Sequence, residues 1–190
     1  MKSNDYHFIT RWSVASTCEE VTDILGNGPD LVRWWPSVYL DVAEIEPGDT
    51  DGLGKVISLY TKGWLPYTLR WQFRVSEARH PHGFTLEAWG DFVGRGIWTF
   101  AQEGEVCHIT YDWKIVAEKP LLRDYSFIMK PIFSANHQWA MRMGEISLNL
   151  ELARRRAQTP EALRRIPPPP GPTFAALTRG GRAWTTLRTA

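Results

Sequence analysis

The middle of the chain carries an almost continuous series of β-strand signals, and this stretch constrains the fold more than any other feature. From Val38 to Val116, short segments of alternating apolar and polar residues are separated by turn residues, as at Pro47-Gly48. Turn signals every 8 to 12 residues are typical of antiparallel strands joined by hairpins. We therefore predict an antiparallel meander over this stretch.

One segment shows the alternation most clearly. Residues 67–76 place Tyr67, Leu69, Trp71, Phe73 and Val75 on one face and polar side chains on the other, as expected of a half-buried strand. Neighbouring strands are predicted at residues 55–61, 84–90, 95–101 and 106–116, after one that starts at Val38. A further strand is predicted before the meander, over Tyr6–Val14, because the same period of two occurs there.

Two short helices are predicted between the first strand and the meander. Ser16 and Glu19 have the spacing of a capping box at a helix start, and Gly26 is a suitable residue just past a helix end. Pro29 favours the first turn of a second short helix, which ends by Trp35 because a proline follows.

A long helix is predicted over Pro131–Arg156, with roughly 39 Å of length at 1.5 Å per residue, enough to cross a sheet. Its apolar residues form two stripes. One contains Phe133, Ala140, Met141, Gly144, Leu148 and Leu152, and the other contains Ile132, Trp139, Met143, Ile146 and Leu150. Because the apolar arc is so wide, we expect the helix to be buried on more than one flank.

Length and charge favour one domain without a strong electrostatic field. The chain has 190 residues, with 22 Lys and Arg against 21 Asp and Glu, which argues against nucleic acid as a partner. Residues 1–156 are predicted to form the domain. Residues 157–190 are predicted to form a flexible tail that contains the run Pro167–Pro170 and more arginine than acid.

Cysteine and histidine spacing predicts no metal and no cofactor. Cys18 and Cys107 lack ligand partners at metal-binding spacing and are interpreted as buried thiols. His80 and His82 flank a proline without a third ligand nearby. The N-terminus lacks a basic and then apolar leader, and no apolar run reaches about 18 residues, so the expected location is the cytoplasm, without an integral membrane segment.

Aromatic residues are unusually abundant, with 10 Trp, 8 Phe and 6 Tyr. Their size suits either an aromatic core or the lining of a ligand cavity. The core interpretation is favoured for most of the ten tryptophans.

Several motifs resemble one superfamily in particular. They are Trp34-Trp35-Pro36, Gly52-Leu-Gly54, the hairpin Trp89–Trp98, and Asn136-His137 followed by Met141 and Gly144-Glu145. Together with the element order, they resemble the START-like (SRPBCC) superfamily and, within it, proteins of the polyketide cyclase/dehydrase-like subgroup. The resemblance implies an α+β helix-grip fold, in which a seven-stranded curved antiparallel sheet wraps around the long C-terminal helix.

The same resemblance implies a ligand cavity between the concave sheet face and the long helix. Residues Lys62–Tyr67 fall where abscisic-acid receptors carry a gating loop. The ligand-binding candidates are Tyr60, Trp64, Tyr67, Trp71, Glu87, Trp89, Trp98, Tyr111, Trp113, Phe133, His137, Met141 and Gly144. Among the strand residues, the apolar set is expected to face inward.

His137 and Arg95 are the candidate catalytic residues. His137 lies one turn before Met141 and could act as an acid or base in the cavity. In Gly94-Arg95-Gly96 the small neighbours could let the guanidinium lie against a ligand or against Glu87 or Asp91. A structural role is favoured for both residues, because no nucleophile is paired with His137 by spacing and Arg is rarely buried alone.

Three functions follow from these observations. The favoured one is a carrier or sensor that binds a small hydrophobic ligand, such as a lipid, a polyketide or an aromatic compound. The first alternative is a polyketide cyclase/dehydrase-like enzyme that acts on a ligand in the same cavity. The second is an interaction module whose proline-rich tail docks on an unknown protein partner.

Overall fold

The computed structural model describes residues 4–118 and 126–174, so the predicted tail beyond Phe174 lies outside the described residues. Seven strands are present: β1 Asp5–Ala15, β2 Tyr39–Glu46, β3 Val56–Lys62, β4 Thr68–Ala78, β5 Gly83–Gly90, β6 Phe92–Glu103 and β7 Val106–Ala117. Each lies within a few residues of its predicted position. The predicted meander is confirmed.

All seven strands form one antiparallel sheet in the order β1-β7-β6-β5-β4-β3-β2. Strands β2 to β7 follow one another in sequence, and β1 joins the sheet by pairing with β7, with Phe8 opposite Trp113. The first strand is therefore held at its edge of the sheet by contacts between residues far apart in sequence. The predicted α+β helix-grip architecture is confirmed.

Two short helical segments follow β1, as predicted. Helix α1 spans Cys18–Leu25, and a 3₁₀ turn at Gly28–Asp30 leads directly into α2, Leu31–Trp34. The predicted capping box was wrong by one residue: Thr17 is the N-cap and accepts a hydrogen bond from the Glu20 amide, while the Glu20 carboxylate accepts one from the Thr17 amide. Ser16 instead is buried.

Helix α3 spans Ser126–Arg156 and begins five residues before the predicted start at Pro131. Pro131 therefore lies inside the helix, where its ring removes one backbone hydrogen bond of the i to i−4 kind. One apolar stripe faces the sheet and is buried. The other is not, since Ile132 and Ile146 are each 39% exposed, and the expectation of burial on two flanks was wrong.

Most of the core lies between the sheet and the three helices. Trp34, Ile57, Ile109 and Leu148 are among its fully buried members. Cys18 and Cys107 are both buried free thiols, with their Sγ atoms 3.4 Å apart, and burial raises the pKa of Cys107 to about 12.

Beyond Arg156 the chain forms one more short helix and then an extended segment. Helix α4 spans Pro160–Arg165 and buries none of its residues. The extended segment nevertheless contacts the domain, because Arg154 donates a hydrogen bond to the Pro167 carbonyl and Lys62 donates to Thr173. The domain boundary at Arg156 stays a prediction. Within the described residues, no helix is long and apolar enough to cross a bilayer.

Candidate ligand-binding pocket

A pocket of about 180 Å³ lies between the inner face of the sheet and helix α3. All seven strands contribute to its lining, together with α1, α2 and α3. The helix contributes Phe133, Asn136, His137, Ala140 and Met141. The size resembles that of an apolar cavity of about 150 Å³ that stays dry and binds benzene, so the pocket has room for a ring system or part of an acyl chain.

One wall of the pocket is a continuous aromatic surface on β4, β6 and β7. Trp98 stacks on Tyr111 with ring centroids 4.0 Å apart, and Tyr111 stacks on Trp113 at 5.5 Å. Trp71 contacts Trp113 and Phe92 at 5.9 and 4.9 Å. Interlocked rings have few alternative rotamers, so this wall is a rigid surface against which an apolar ligand can lie.

One glycine on β6, Gly96, makes room for this wall. A Cβ added at Gly96 would lie 2.7 Å from the Tyr111 hydroxyl oxygen and 2.8 Å from Trp113 Cε3. Gly96 therefore accommodates aromatic rings and not the Arg95 side chain, and Gly94 lies against the Lys114 carbonyl and Ile115. Arg95 points to the opposite face of the sheet, is 53% exposed and lies 3.5 Å from a Glu77 carboxylate oxygen.

The polar lining residues gather where the β3–β4 loop meets α3. Asn136 accepts a hydrogen bond from the Leu65 amide at 3.1 Å and donates to the Tyr67 hydroxyl at 3.4 Å. Gly63 packs on Asn136 so closely that an added Cβ would lie 2.2 Å from Asn136 Oδ1. Asn136 thus fixes the loop to the helix at what we call the polar end of the pocket.

His137 lines the pocket and is held by stacking. Its ring lies 4.1 Å from the Phe8 ring at 20°, and its buried Nε2 has no hydrogen-bond partner among the described residues. Burial lowers the pKa of His137 to about 4. The imidazole is therefore neutral near pH 7, which suits a ligand hydrogen bond better than donation of a proton as a general acid.

Tyrosine hydroxyls at the pocket are also held in the neutral form. Burial, reinforced by the nearby Tyr6, raises the pKa of Tyr67 to about 12. Burial likewise raises the pKa values of Tyr39 and Tyr111. These tyrosines therefore present neutral hydroxyl groups at the pocket.

The structure brings eight of the predicted ligand-binding residues to the pocket. They are Tyr67, Trp71, Trp98, Tyr111, Trp113, Phe133, His137 and Met141. The two catalytic candidates are separated, because His137 faces the pocket and Arg95 lies on the outer face of the sheet.

Five of the predicted ligand-binding residues lie elsewhere. Tyr60 faces outward and stacks under the Arg70 guanidinium at 4.1 Å. Trp64 and Trp89 are 37% and 38% exposed, and Glu87 is exposed on β5 opposite Arg95. Gly144 lies on the buried side of α3 but packs against Trp35 and not along the pocket.

Sequence reasoning missed several pocket residues. They include Tyr6, Phe8, Trp35, Tyr39, Lys62 and Asn136. Leu69 and Phe73, which the alternation placed on the face expected to point inward, also line the pocket. The alternation of Tyr6 and Phe8 along β1 was a usable signal, since it places both on the face that also carries Trp12. Lys62 gave no such signal, because a lysine at a strand end is ordinarily solvated.

No cluster of three or more His, Cys, Asp or Glu side chains suited to a metal ion occurs in the part of the chain that the structure describes. Within that part, Lys62 is the one pocket-lining residue with a permanent charge.

Comparison with known proteins gave matches only at the level of structure. No protein-family model and no curated protein sequence matches the chain. The Zhui aromatase/cyclase of Streptomyces sp. R1128 superposes with a TM-score of 0.63 at 14% identity, covering 81% of this chain and 97% of its own. A Thermus thermophilus protein, TTHA0849, gives 0.62 at 12% identity, with coverage of 80% and 100%.

A third similar structure is StfQ, a di-domain aromatase/cyclase of the steffimycin biosynthetic pathway, with a TM-score of 0.57 and 14% identity. The match covers 83% of this chain and 54% of that one. Identities this low establish a shared architecture and not a shared activity. With its seven-stranded antiparallel sheet and the long helix that packs on it, the chain has the helix-grip fold that these solved structures share.

Proposed function

We propose that the protein binds a small hydrophobic ligand in this pocket, as a carrier or sensor. The observation that carries the proposal is the pocket itself, which combines a rigid aromatic wall with a few neutral hydrogen-bonding groups at one end. Such a lining is typical of sites that bind apolar small molecules. The aromatase/cyclase relatives support the proposal as proteins of the same fold.

Apolar burial alone accounts for weak binding. Ten methylene groups contribute about 8 kcal/mol at about 0.8 kcal/mol each, and lost freedom on association costs at least about 4 kcal/mol. The difference corresponds to millimolar binding, and contacts with the aromatic wall and the polar end strengthen it. No catalytic group is needed for this function.

Titration with Prodan, a neutral naphthalene dye whose emission shifts in apolar surroundings, tests the proposal. We expect one saturable site in the wild-type protein. Ala140→Phe should weaken binding at least tenfold, because Ala140 lines the pocket and a phenyl ring there fills it. Ala135→Phe on the exposed side of the same helix is the matched control and should bind like wild type.

Two results would contradict the binding function. One is a dye signal that rises linearly without saturation in wild type. The other is equal loss of binding in Ala135→Phe and Ala140→Phe, because the dye would then report the stability of α3 and not occupancy of the pocket.

A second candidate function is catalysis on a ligand held in the same pocket. The buried Nε2 of His137, which has no hydrogen-bond partner among the described residues, favours it, since this atom can accept a proton or a hydrogen bond from a substrate. With Arg95 on the outer face, His137 would act without a cationic partner from that strand. Product analysis with a poly-β-ketone substrate tests this function: turnover that is lost in His137→Gln while Prodan still binds would favour the enzyme.

A further inference from the structure

Lys62 is a buried cation at the polar end of an otherwise apolar pocket. The residue ends β3, lines the pocket and is 3% exposed. Removing an ammonium group from water is unfavourable unless charged or strongly polar partners replace the lost hydration. In keeping with this, desolvation lowers the pKa of Lys62.

The polar partners of this ammonium group among the described residues are neutral. Nζ donates to the main-chain carbonyl and, at 2.8 Å, to the hydroxyl oxygen of Thr173, and it lies 5.3 Å from the centre of the Phe174 ring. The Thr173 hydroxyl is also 3.3 Å from the Gly63 carbonyl and 3.2 Å from that of Trp64. Within the described residues, the segment at Thr173 thus supplies oxygen atoms to the Lys62 ammonium group, and no carboxylate contacts that group.

We propose that Lys62 Nζ binds the anionic head group of an amphipathic ligand, which takes the position of the Thr173 oxygens while the apolar part of the ligand occupies the pocket. The proposal rests on the proposed binding function and names the class of ligand: a small apolar molecule with a carboxylate or another anion at one end.

Two physical arguments favour an anion over a neutral polar group. A charge-assisted hydrogen bond is roughly twice as strong as one between neutral groups, and the attraction between opposite charges grows as water is excluded. The position also fits, because Lys62 adjoins Gly63 and Thr61, which line the same end of the pocket. The Lys62 ammonium would thus contact the head group of the ligand, and the aromatic wall would contact its apolar tail.

Displacement of Prodan by decanoate and by decan-1-ol tests this proposal, because the two compounds have the same chain length and differ in head-group charge. For wild type we expect decanoate to displace the dye at a concentration at least tenfold lower. Lys62→Met, which keeps an unbranched apolar side chain, should bring the two compounds to within about threefold. Lys62→Arg should retain the preference. Lys114→Met is the matched control on the outer face and should behave like wild type.

The outcomes separate this proposal from the binding function. If decanoate and decan-1-ol displace Prodan equally from wild type, or if the preference persists in Lys62→Met, the anion site is refuted while the pocket stands. Absence of saturable Prodan binding together with absence of decanoate binding would refute both. The comparison of decanoate with decan-1-ol on the wild-type protein tests the anion site even if Lys62→Met does not fold.

Discussion

Gly144 of α3 lies against the indole ring of Trp35, and a Cβ added to Gly144 would come within 2.2 Å of Trp35 Cζ2. Trp35 follows α2, is buried and lines the pocket. The absence of a side chain at position 144 is therefore what lets the long helix close over this indole. The helix and the pocket wall depend on the same contact.

We predict that Gly144→Ala destabilises the protein, although alanine is the better helix former by about 1 kcal/mol. The indole is rigid and held on several sides, so the added methyl group forces a shift that costs about 1 to 3 kcal/mol. Urea unfolding measures the change. Arg142→Ala, at an exposed position of the same helix, should change stability by less than about 0.5 kcal/mol. A Gly144→Ala protein more stable than wild type would contradict the packing.

Helix α3 is also joined to α2 by a partly buried ion pair. Glu151 is 2% exposed and accepts hydrogen bonds from Arg33 at 2.6 and 2.8 Å and from Arg155 at 2.9 Å. We predict that Glu151→Gln lowers the free energy of unfolding by about 1 to 3 kcal/mol, since it removes the charge from a buried acceptor of hydrogen bonds from two guanidinium groups.

The matched control is Glu161→Gln, which breaks an exposed ion pair with Arg164 on α4. Such surface pairs contribute about 0 to 1 kcal/mol. Chemical denaturation of both variants gives the comparison. Equal effects of the two substitutions on the free energy of unfolding would show that the burial of Glu151 does not strengthen its ion pairs.

The lowered pKa of His137 leads us to predict a specific pH dependence of the free energy of unfolding. Its pKa is about 4 in the folded protein against about 6.5 in an unfolded chain. Between these values the unfolded state binds more protons, so this contribution to stability is complete above about pH 6.5 and is lost as the pH falls towards 4. The full effect is about 3 kcal/mol.

Replacement of His137 by Phe keeps a ring against Phe8 and removes the titration. The gap in stability between His137→Phe and wild type should therefore widen, in favour of the variant, as the pH falls from about 6.5 to about 4. Carboxylates titrate in both proteins, so their contributions cancel in the difference between the two free energies of unfolding. Parallel stability curves over this range would contradict a buried neutral imidazole.

The anion site makes a prediction about the chain at Thr173. If an anionic head group replaces the Thr173 oxygens at Lys62, decanoate should loosen this segment and decan-1-ol should not. In full-length Thr173→Cys we expect the rate of thiol alkylation to rise at least threefold with saturating decanoate. Cys18 and Cys107 are buried, so background labelling is low. An unchanged or lowered rate would mean that the segment keeps its contact with Lys62.

The fold was predictable because its signals are local. The alternation in residues 67–76 and 106–116 predicted strands of the sheet, and the length of the apolar pattern after Pro131 predicted the helix that packs on it. The elements appear within a few residues of their predicted positions. Errors arose where tertiary contacts, and not the local sequence, determine the structure. Pro131 lies within α3, and the outer stripe with Ile132 and Ile146 remains partly exposed.

The candidate site was predictable only in part. A period of two groups the residues of a strand but does not say which group faces inward, and Tyr60 was assigned inward although its neighbour Thr61 lines the pocket. The contact between Lys62 and Thr173 joins residues far apart in sequence, and no local pattern encodes it. Asn136 was visible in a motif, but its link to the β3–β4 loop emerges only from the fold.

The indole N–H resonances of the tryptophans test the central claim most directly. Trp35, Trp71, Trp98 and Trp113 line the pocket, whereas Trp64 and Trp89 lie outside it. In a two-dimensional ¹H–¹⁵N titration with decan-1-ol, with each signal assigned by a Trp→Phe substitution, we predict saturable shifts of the four pocket signals and none for Trp64 and Trp89. Saturable shifts confined to Trp64 and Trp89, or no saturable shift at any pocket tryptophan, would contradict ligand binding in this pocket.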